Sequence, residues 1–223
     1  MKILGIETTT DACSCALLVG TECEGRFELA PRRHSELVLP MVAELTAQAG
    51  VQLGDVDAIA FGRGPGSFTG LRIAAGVAQG LAFAADLPVV PVSSLQVLAQ
   101  GVARTHAHPR VLAALDARIR EIYWGMYAQD ENGIMTPLAP DAVCAPQAAQ
   151  VPETGAWLGS GQGWSVYASV LAQLLHQRLV QVAPDCFPDA RDLLHIAAVR
   201  VAAGDVVGAE LALPVYLRDK VTN

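Results

Sequence analysis

The sequence predicts an α/β protein built from two successive β-rich halves, and three observations predict it. Short apolar runs bounded by turn residues alternate with helix-length amphipathic stretches through the first hundred residues. After a break at Arg104-Thr105-His106-Ala107-His108-Pro109 the same order restarts, hairpin first and helices last. A hydrophobic run, Val56 to Phe61, stops at glycines and a proline and passes into small residues, which reads as strand, tight loop and helix start. The expected lobes are residues 1–104 and 105–223.

The elements follow in order. Lys2 to Thr8 is a strand ending in the turn Thr8-Thr9-Thr10-Asp11. Cys13 to Val19 and the weaker run Glu22 to Leu29 form a hairpin across Gly20-Thr21. Leu37, Met41, Leu45 and Ala49 recur at four-residue spacing before Gly50, predicting a helix over 35–49 that starts near Pro40 or kinks there. Strand 56–61, the glycine-rich loop and a helix over 69–85 come next, the helix closed by Asp86-Leu87-Pro88. Val89 to Val92 is a short strand, and Ser93 or Ser94 caps a helix reaching Ala103.

In the second half Arg110 to Leu115 is a strand, Asp116-Ala117-Arg118 a turn, and Glu121 to Ala128 an aromatic strand. Asp130-Glu131-Asn132-Gly133 turns the chain into Ile134 to Cys144, whose prolines mark an edge. Ala156 to Leu158 runs through Gly159-Ser160-Gly161 into a helix ending near Leu175. A last amphipathic helix, 189–203, is expected to pack back across the lobes.

Composition narrows the function. A chain of 223 residues buries a real core, and its net charge of −7 makes it a poor sole binder of nucleic acid. The local pairs Arg32-Arg33 and Arg118 with Arg120 read as solvated surface. Cys13, Cys15, Cys23, Cys144 and Cys186 are odd in number and never spaced C-x-x-C, which fits reduced thiols of a cytoplasmic protein. Residues 71–92 are apolar but interrupted by Arg72, Gln79, Asp86, Pro88 and Pro91, so a buried helix and strand are expected and no membrane contact.

The candidate chemistry centres on Arg63, Gly64, Pro65, Gly66, Ser67 and Thr69. Glycines there let backbone N–H groups approach a nucleotide or phosphate, and a helix N-terminus adds positive charge. The same string equally suits a βα turn that only packs tightly. It lacks the Gly-Lys-Ser/Thr of a Walker loop. Ser67 departs from the Gly-x-Ser-x-Gly nucleophile elbow and suits a helix cap. Glu7, Asp11 and Asp116 stand at strand ends. His34 has Val38 at i+4, where a metal-binding helix would carry its second ligand, so no metal and no cofactor is expected.

These residues together resemble the bacterial TsaB (YeaZ) family of tRNA threonylcarbamoyladenosine biosynthesis, over essentially the whole length. The carriers are Ile6-Glu7-Thr8, Arg33-His34-Ser35-Glu36, and Gly64-Pro65-Gly66-Ser67-Phe68-Thr69-Gly70-Leu71-Arg72. Asp116-Ala117-Arg118 with Glu121-Ile122-Tyr123-Trp124, Gly159-Ser160-Gly161, and Tyr216 to Thr222 follow in the expected order. The resemblance implies the two-lobed actin/Hsp70/sugar-kinase (ASKHA) fold with ribonuclease-H-like lobes. It implies a non-catalytic subunit that activates the TsaD transferase, which installs threonylcarbamoyl on N6 of adenosine 37 in tRNAs reading codons that begin with A. A TsaE-type ATPase joins the pair, tRNA is met indirectly, and the subunit alone forms a homodimer. The catalytic paralogue holds metal through two helical histidines, of which only His34 has a counterpart here; Glu7 stands where most relatives carry Asp. The first lobe is expected to supply the interface through His34, Leu37, Met41, Leu45, Phe68, Arg72, Ala75, Gly76, Gln79 and Gly80. A stand-alone enzyme of the same fold, a peptidase-like hydrolase or a small-molecule kinase, is the alternative.

Overall fold

The computed structural model describes residues 1–218. Its tertiary contacts divide the chain into two compact units, Met1–Val97 with Pro188–Val215, and Leu98–Phe187 with the segment 216–218.

The first unit opens with β1 (Lys2–Glu7), β2 (Ala12–Val19) and β3 (Glu22–Leu29), followed by α1 (His34–Ala49), β4 (Ala58–Gly64), α2 (Phe68–Ala85) and β5 (Val89–Ser93). They form one sheet in the order β3-β2-β1-β4-β5, antiparallel through β1, β2 and β3 and parallel from β1 through β4 to β5. Strand alternation sends Leu4, Ile6, Cys13, Cys15, Ile59 and Phe61 into one core with Val38, Met41 and Leu45 of α1 and Ala74, Ala78 and Ala82 of α2. α1 runs through Pro40 and ends at Gly50, whose φ of 62° lets its N–H turn back to Ala47 O and Thr46 O. β4 is longer than expected: Gly62 and Gly64 still pair with β5, which leaves Pro65-Gly66-Ser67 as the loop. α2 has the length and composition of a membrane span, but Leu71, Ala74, Ala75, Ala78 and Ala82 are buried against the sheet.

α3 (Ser94–His106) contains the division between the units. The second unit continues with β6 (Arg110–Arg118), β7 (Glu121–Gln129), β8 (Met135–Pro137), β9 (Ala142–Cys144), β10 (Trp157–Ser160), α4 (Gln162–Leu175) and β11 (Leu179–Ala183). The sheet order is β11-β10-β6-β7-β8, with β9 also on β7. β6 pairs antiparallel with β7 and parallel with β10, which pairs parallel with β11. This repeats the pattern of β1 with β2, β4 and β5, so the two sheets share one topology. Trp124 and Trp164 fill the core with centroids 6.0 Å apart, and Trp164 Nε1 donates to Leu112 O at 2.9 Å. Two expectations are corrected. Asp116-Ala117-Arg118 continues β6, and the turn is Ile119-Arg120, both at positive φ. β11 was not anticipated at all.

α5 (Ala190–Ala202) returns the chain to the first unit, against the face of its sheet opposite α1 and α2. Gly5 admits it: a Cβ there would lie 3.1 Å from Leu194 Cγ. Asp189 caps the helix by accepting from Arg191 N at 2.8 Å, and Ala190 N donates to Ser14 Oγ at 2.9 Å. The units therefore differ from lobes of 1–104 and 105–223. The expected lobes put 189–203 in the second with the helix packing back across them; here the helix belongs to the first unit and its apolar stripe lies on the first sheet.

Candidate functional site

At one end of the first sheet the hairpin Thr8-Thr9-Thr10-Asp11 meets the loop Pro65-Gly66-Ser67. Ser67 N donates to Thr9 O at 2.7 Å, and Thr8 Oγ1 donates to Gly70 O at 2.8 Å. A Cβ at Gly66 would stand 2.2 Å from Thr9 O, and one at Gly70 2.0 Å from Thr8 O. Glycine is required at both positions because two backbone segments of this chain touch there. Of the two readings of the glycine-rich string, the geometry matches tight internal packing. Ser67 Oγ accepts from Gly70 N at 3.4 Å as the N-cap of α2, and Arg63, Ser67 and Thr69 are exposed around it. The Gly64-Pro65 bond is cis.

Behind this contact lies Glu7, fully buried. Its Oε1 accepts from Thr9 N at 2.7 Å and Thr9 Oγ1 at 2.5 Å, and its Oε2 from Ser94 Oγ at 3.2 Å. Gly62 leaves room for it, since a Cβ there would lie 1.9 Å from Oε2. Burial pushes the Glu7 carboxyl above its usual range against the hydrogen bonds from Thr9 and Ser94, and the charge of Asp189 adds to the rise. The carboxylate that could face a bound nucleotide is thus tied to its own hairpin. Thr9, Ser94 and Gly62 were not read from sequence as partners of Glu7. The signal for Thr9 was the threonine run after a strand-end acid, a local side-chain-to-backbone turn.

His34 begins α1, is 6% exposed, and its Nε2 has no hydrogen-bond partner among the described residues. Val38, one turn on, is buried in the apolar core. No group of three His, Cys, Asp or Glu placed to hold a metal occurs among the described residues.

The expected interface residues separate into two faces. His34, Met41, Leu45 and Ala75 are buried within their own unit, and Leu37 packs partly against the same core. They are corrected to core positions, because the four-residue apolar period marks the stripe each helix lays on its sheet. Phe68, Arg72, Gly76 and Gly80 are exposed and Gln79 is half-buried. Arg72 stacks over the Phe68 ring at 3.3 Å, and a Cβ at Gly76 or Gly80 would meet nothing within 4 Å. Leu39 on α1 is 51% exposed and Phe83 on α2 85% exposed, and sequence reading missed both because they fall off the apolar period. In the second unit Arg218 hydrogen-bonds Glu121. Asp219-Lys220-Val221-Thr222 lies outside the described residues.

The model of the family described as TsaD, tRNA N6-adenosine threonylcarbamoyltransferase, matches residues 28–223. The chain is 42% identical to the tRNA threonylcarbamoyladenosine biosynthesis protein TsaB of Escherichia coli, over 99% of this chain and 96% of that one. It is 38% identical to the TsaB of Haemophilus influenzae over 100% of this chain and 95% of that one. The solved structure of YeaZ from Pseudomonas aeruginosa is similar with a TM-score of 0.91 and 46% identity, covering 97% of this chain and 99% of that one.

Proposed function

Because this chain belongs to the TsaB (YeaZ) family of tRNA threonylcarbamoyladenosine biosynthesis proteins, we propose that it serves that pathway as a non-catalytic subunit that binds and activates a TsaD-type transferase. The observation that carries the non-catalytic reading is the closed hairpin site. Glu7 is engaged at both oxygens by Thr9 and Ser94, and the glycine-rich loop lies against the Thr8-Thr9 backbone. A nucleotide entering there would have to displace internal hydrogen bonds. Ser67 Oγ serves as a helix cap, which leaves a hydrolase reading without an activated nucleophile.

The association surface in this reading is the outer face of α1 and α2, with Leu39, Phe68, Gly76, Gly80 and Phe83. Large exposed side chains around glycines allow a second helix pair to approach closely, and apolar surface of this kind favours burial. The same face would hold the transferase in the complex and a second copy when the chain is alone. A TsaE-type ATPase joins the assembly, and tRNA is reached through the transferase in the cytoplasm.

Mixing the purified chain with a TsaD-type transferase tests this. Light scattering should give a heterodimer, and tRNA modification from threonylcarbamoyl adenylate should need both proteins. Gly76→Arg should break the heterodimer and leave the chain alone folded, since an unpaired charge buried in an interface costs several kcal/mol. Robust ATP turnover or tRNA modification by the isolated chain would overturn the non-catalytic reading. An unchanged complex with Gly76→Arg would move the interface elsewhere.

A further inference from the structure

Turn positions at positive φ ordinarily go to glycine or asparagine. The β2–β3 and β7–β8 turns obey this, with Gly20 at φ 63° and Gly133 at φ 80°. The two-residue turn between β6 and β7 does not. Arg118, Ile119 and Arg120 stand at φ 62°, 51° and 60°, and the ladder shifts register between Asp116 and Arg118. A β-branched isoleucine in that region is strained, and strain of this kind collects at binding sites. Packing within the chain does not account for it, since Ile119 is 63% exposed. The turn is also fixed from both sides. Arg118 N donates to Asp116 Oδ1 at 3.0 Å, and Arg118 Nη1 pairs with Asp116 Oδ2 at 3.3 Å. Glu121, on the other strand, is bonded by Arg218. Both flanking carboxylates are therefore engaged, while Arg120 is exposed with no hydrogen bond or ion pair among the described residues. The Arg118 side chain is 83% exposed, and an ion pair so open to water holds it weakly.

We propose that the Arg118-Ile119-Arg120 tip is a prong that touches the sugar–phosphate backbone of the tRNA while the transferase holds it. The inference rests on the association reading above and adds to it a direct contact between this chain and RNA. Guanidinium forks match phosphate oxygens in pairs, and an isoleucine between them offers an apolar surface to a sugar or an unstacked base. A chain of net charge −7 repels RNA over most of its surface, so a contact has to be small, cationic and carried out into solvent. A rigid hairpin tip meets all three conditions. Its turn keeps the two cations on one short arc, where Asn-Gly would relax the backbone and remove them. An acidic protein segment would also suit two arginines. The tRNA is favoured because the assembly already brings that polyanion to the transferase. One or two phosphate contacts are too few to hold RNA alone, so the prong acts only within the complex. It is independent of the α1–α2 face.

Binding of labelled tRNA to the heterodimer across a salt series tests it. Ile119→Asn with Arg120→Gly installs the pair this turn favours, and should raise the melting temperature of the chain by roughly 2–4 °C. The same variant should weaken tRNA binding about ten-fold at low salt and flatten the slope of log affinity against log salt by about 0.7–0.9. Arg118→Ala with Arg120→Ala should flatten it by about twice as much, one step for each phosphate contact. A benzophenone amino acid in place of Ile119 should cross-link to tRNA in the complex. A cross-link to the transferase instead would make the occupant a protein segment and overturn the RNA contact. A lower melting temperature for the Asn-Gly turn would show that Ile119 and Arg120 serve stability, and would overturn it too. Unchanged affinity and slope in a heterodimer that light scattering finds intact would overturn the prong alone. Failure of the parent chain to form the heterodimer would overturn the association reading and the prong with it.

Discussion

Burying a carboxylate is costly unless donors meet its oxygens, and Glu7 has three: Thr9 N, Thr9 Oγ1 and Ser94 Oγ. Burial still outweighs them and raises the folded-state pKa. In the unfolded chain Glu7 ionises near about 4.3. From there up to the raised folded value the native state holds the extra proton, so stability falls as pH rises through that window, and the deficit persists above it. Glutamine cannot titrate, yet its Oε1 can accept from Thr9 while its amide donates to Ser94 Oγ. Glu7→Gln is therefore expected to gain progressively on the wild type as pH rises above about 4.3. Urea midpoints across that range measure it, and a difference that stays flat with pH would refute the account. Gly62 faces the same carboxylate. Gly62→Ala should destabilise by about 1–3 kcal/mol, and less in a Glu7→Ala background where the clashing atoms are gone. The Gly-rich string and Glu7 were legible in the sequence as unusual. Which ligand the glycines approach was not, because a glycine admits a neighbouring backbone and a phosphate by the same lack of Cβ.

α1 and α2 each present two faces, and the sequence disclosed them unequally. Four-residue periodicity located both helices and their stops at Gly50 and Asp86 to within a residue or so. It also named Met41, Leu45 and Ala75, but as contact residues, since apolar period records burial without saying against what. The free face carries Gly76 and Gly80, each of which costs about 0.8–1.0 kcal/mol against alanine in a helix. Neither has a neighbour that a Cβ would touch, so packing within the chain does not explain them. Gly76→Ala and Gly80→Ala should each stabilise the dilute chain by roughly that amount while weakening its association. Thermal melts and light scattering on the same samples would detect both effects. Stabilisation with association intact would mean that close helix approach is not why glycine is there. β11 escaped notice for a different reason. Its two valines alternate with one glutamine over five residues, too short a period to stand out between a helix end and Pro184.

The whole molecule repeats one topology in two sheets, and that was legible as the restart after Pro109. The discontinuity of the first unit was legible only as the expected packing of 189–203 back across the lobes, because nothing local in Asp189 to Ala202 names the sheet it covers. The small residues Gly5, Ala60 and Gly62 alternate with Leu4, Ile6, Ile59 and Phe61, and only the second set meets α1 and α2. The first set leaves a shallow face for α5, where Leu193, Leu194, Ile196 and Ala197 are buried. Asp189 ties that helix to β2 by accepting from Ser14 Oγ at 3.3 Å, and Arg200 Nη1 donates to Pro91 O at 2.6 Å on β5. Losing α5 would expose one entire face of a five-stranded sheet, including the fully buried Ile3 and Glu7. At about 25 cal/mol per Å² of apolar surface, burial of four such side chains is comparable with the total stability of a domain. A chain ending at Phe187 should therefore retain the second sheet but lose cooperative unfolding of the first unit. Pulse proteolysis would find residues 1–97 cut under conditions that leave 98–187 intact. Equal protection of both segments would show that the first sheet stands without its returning helix.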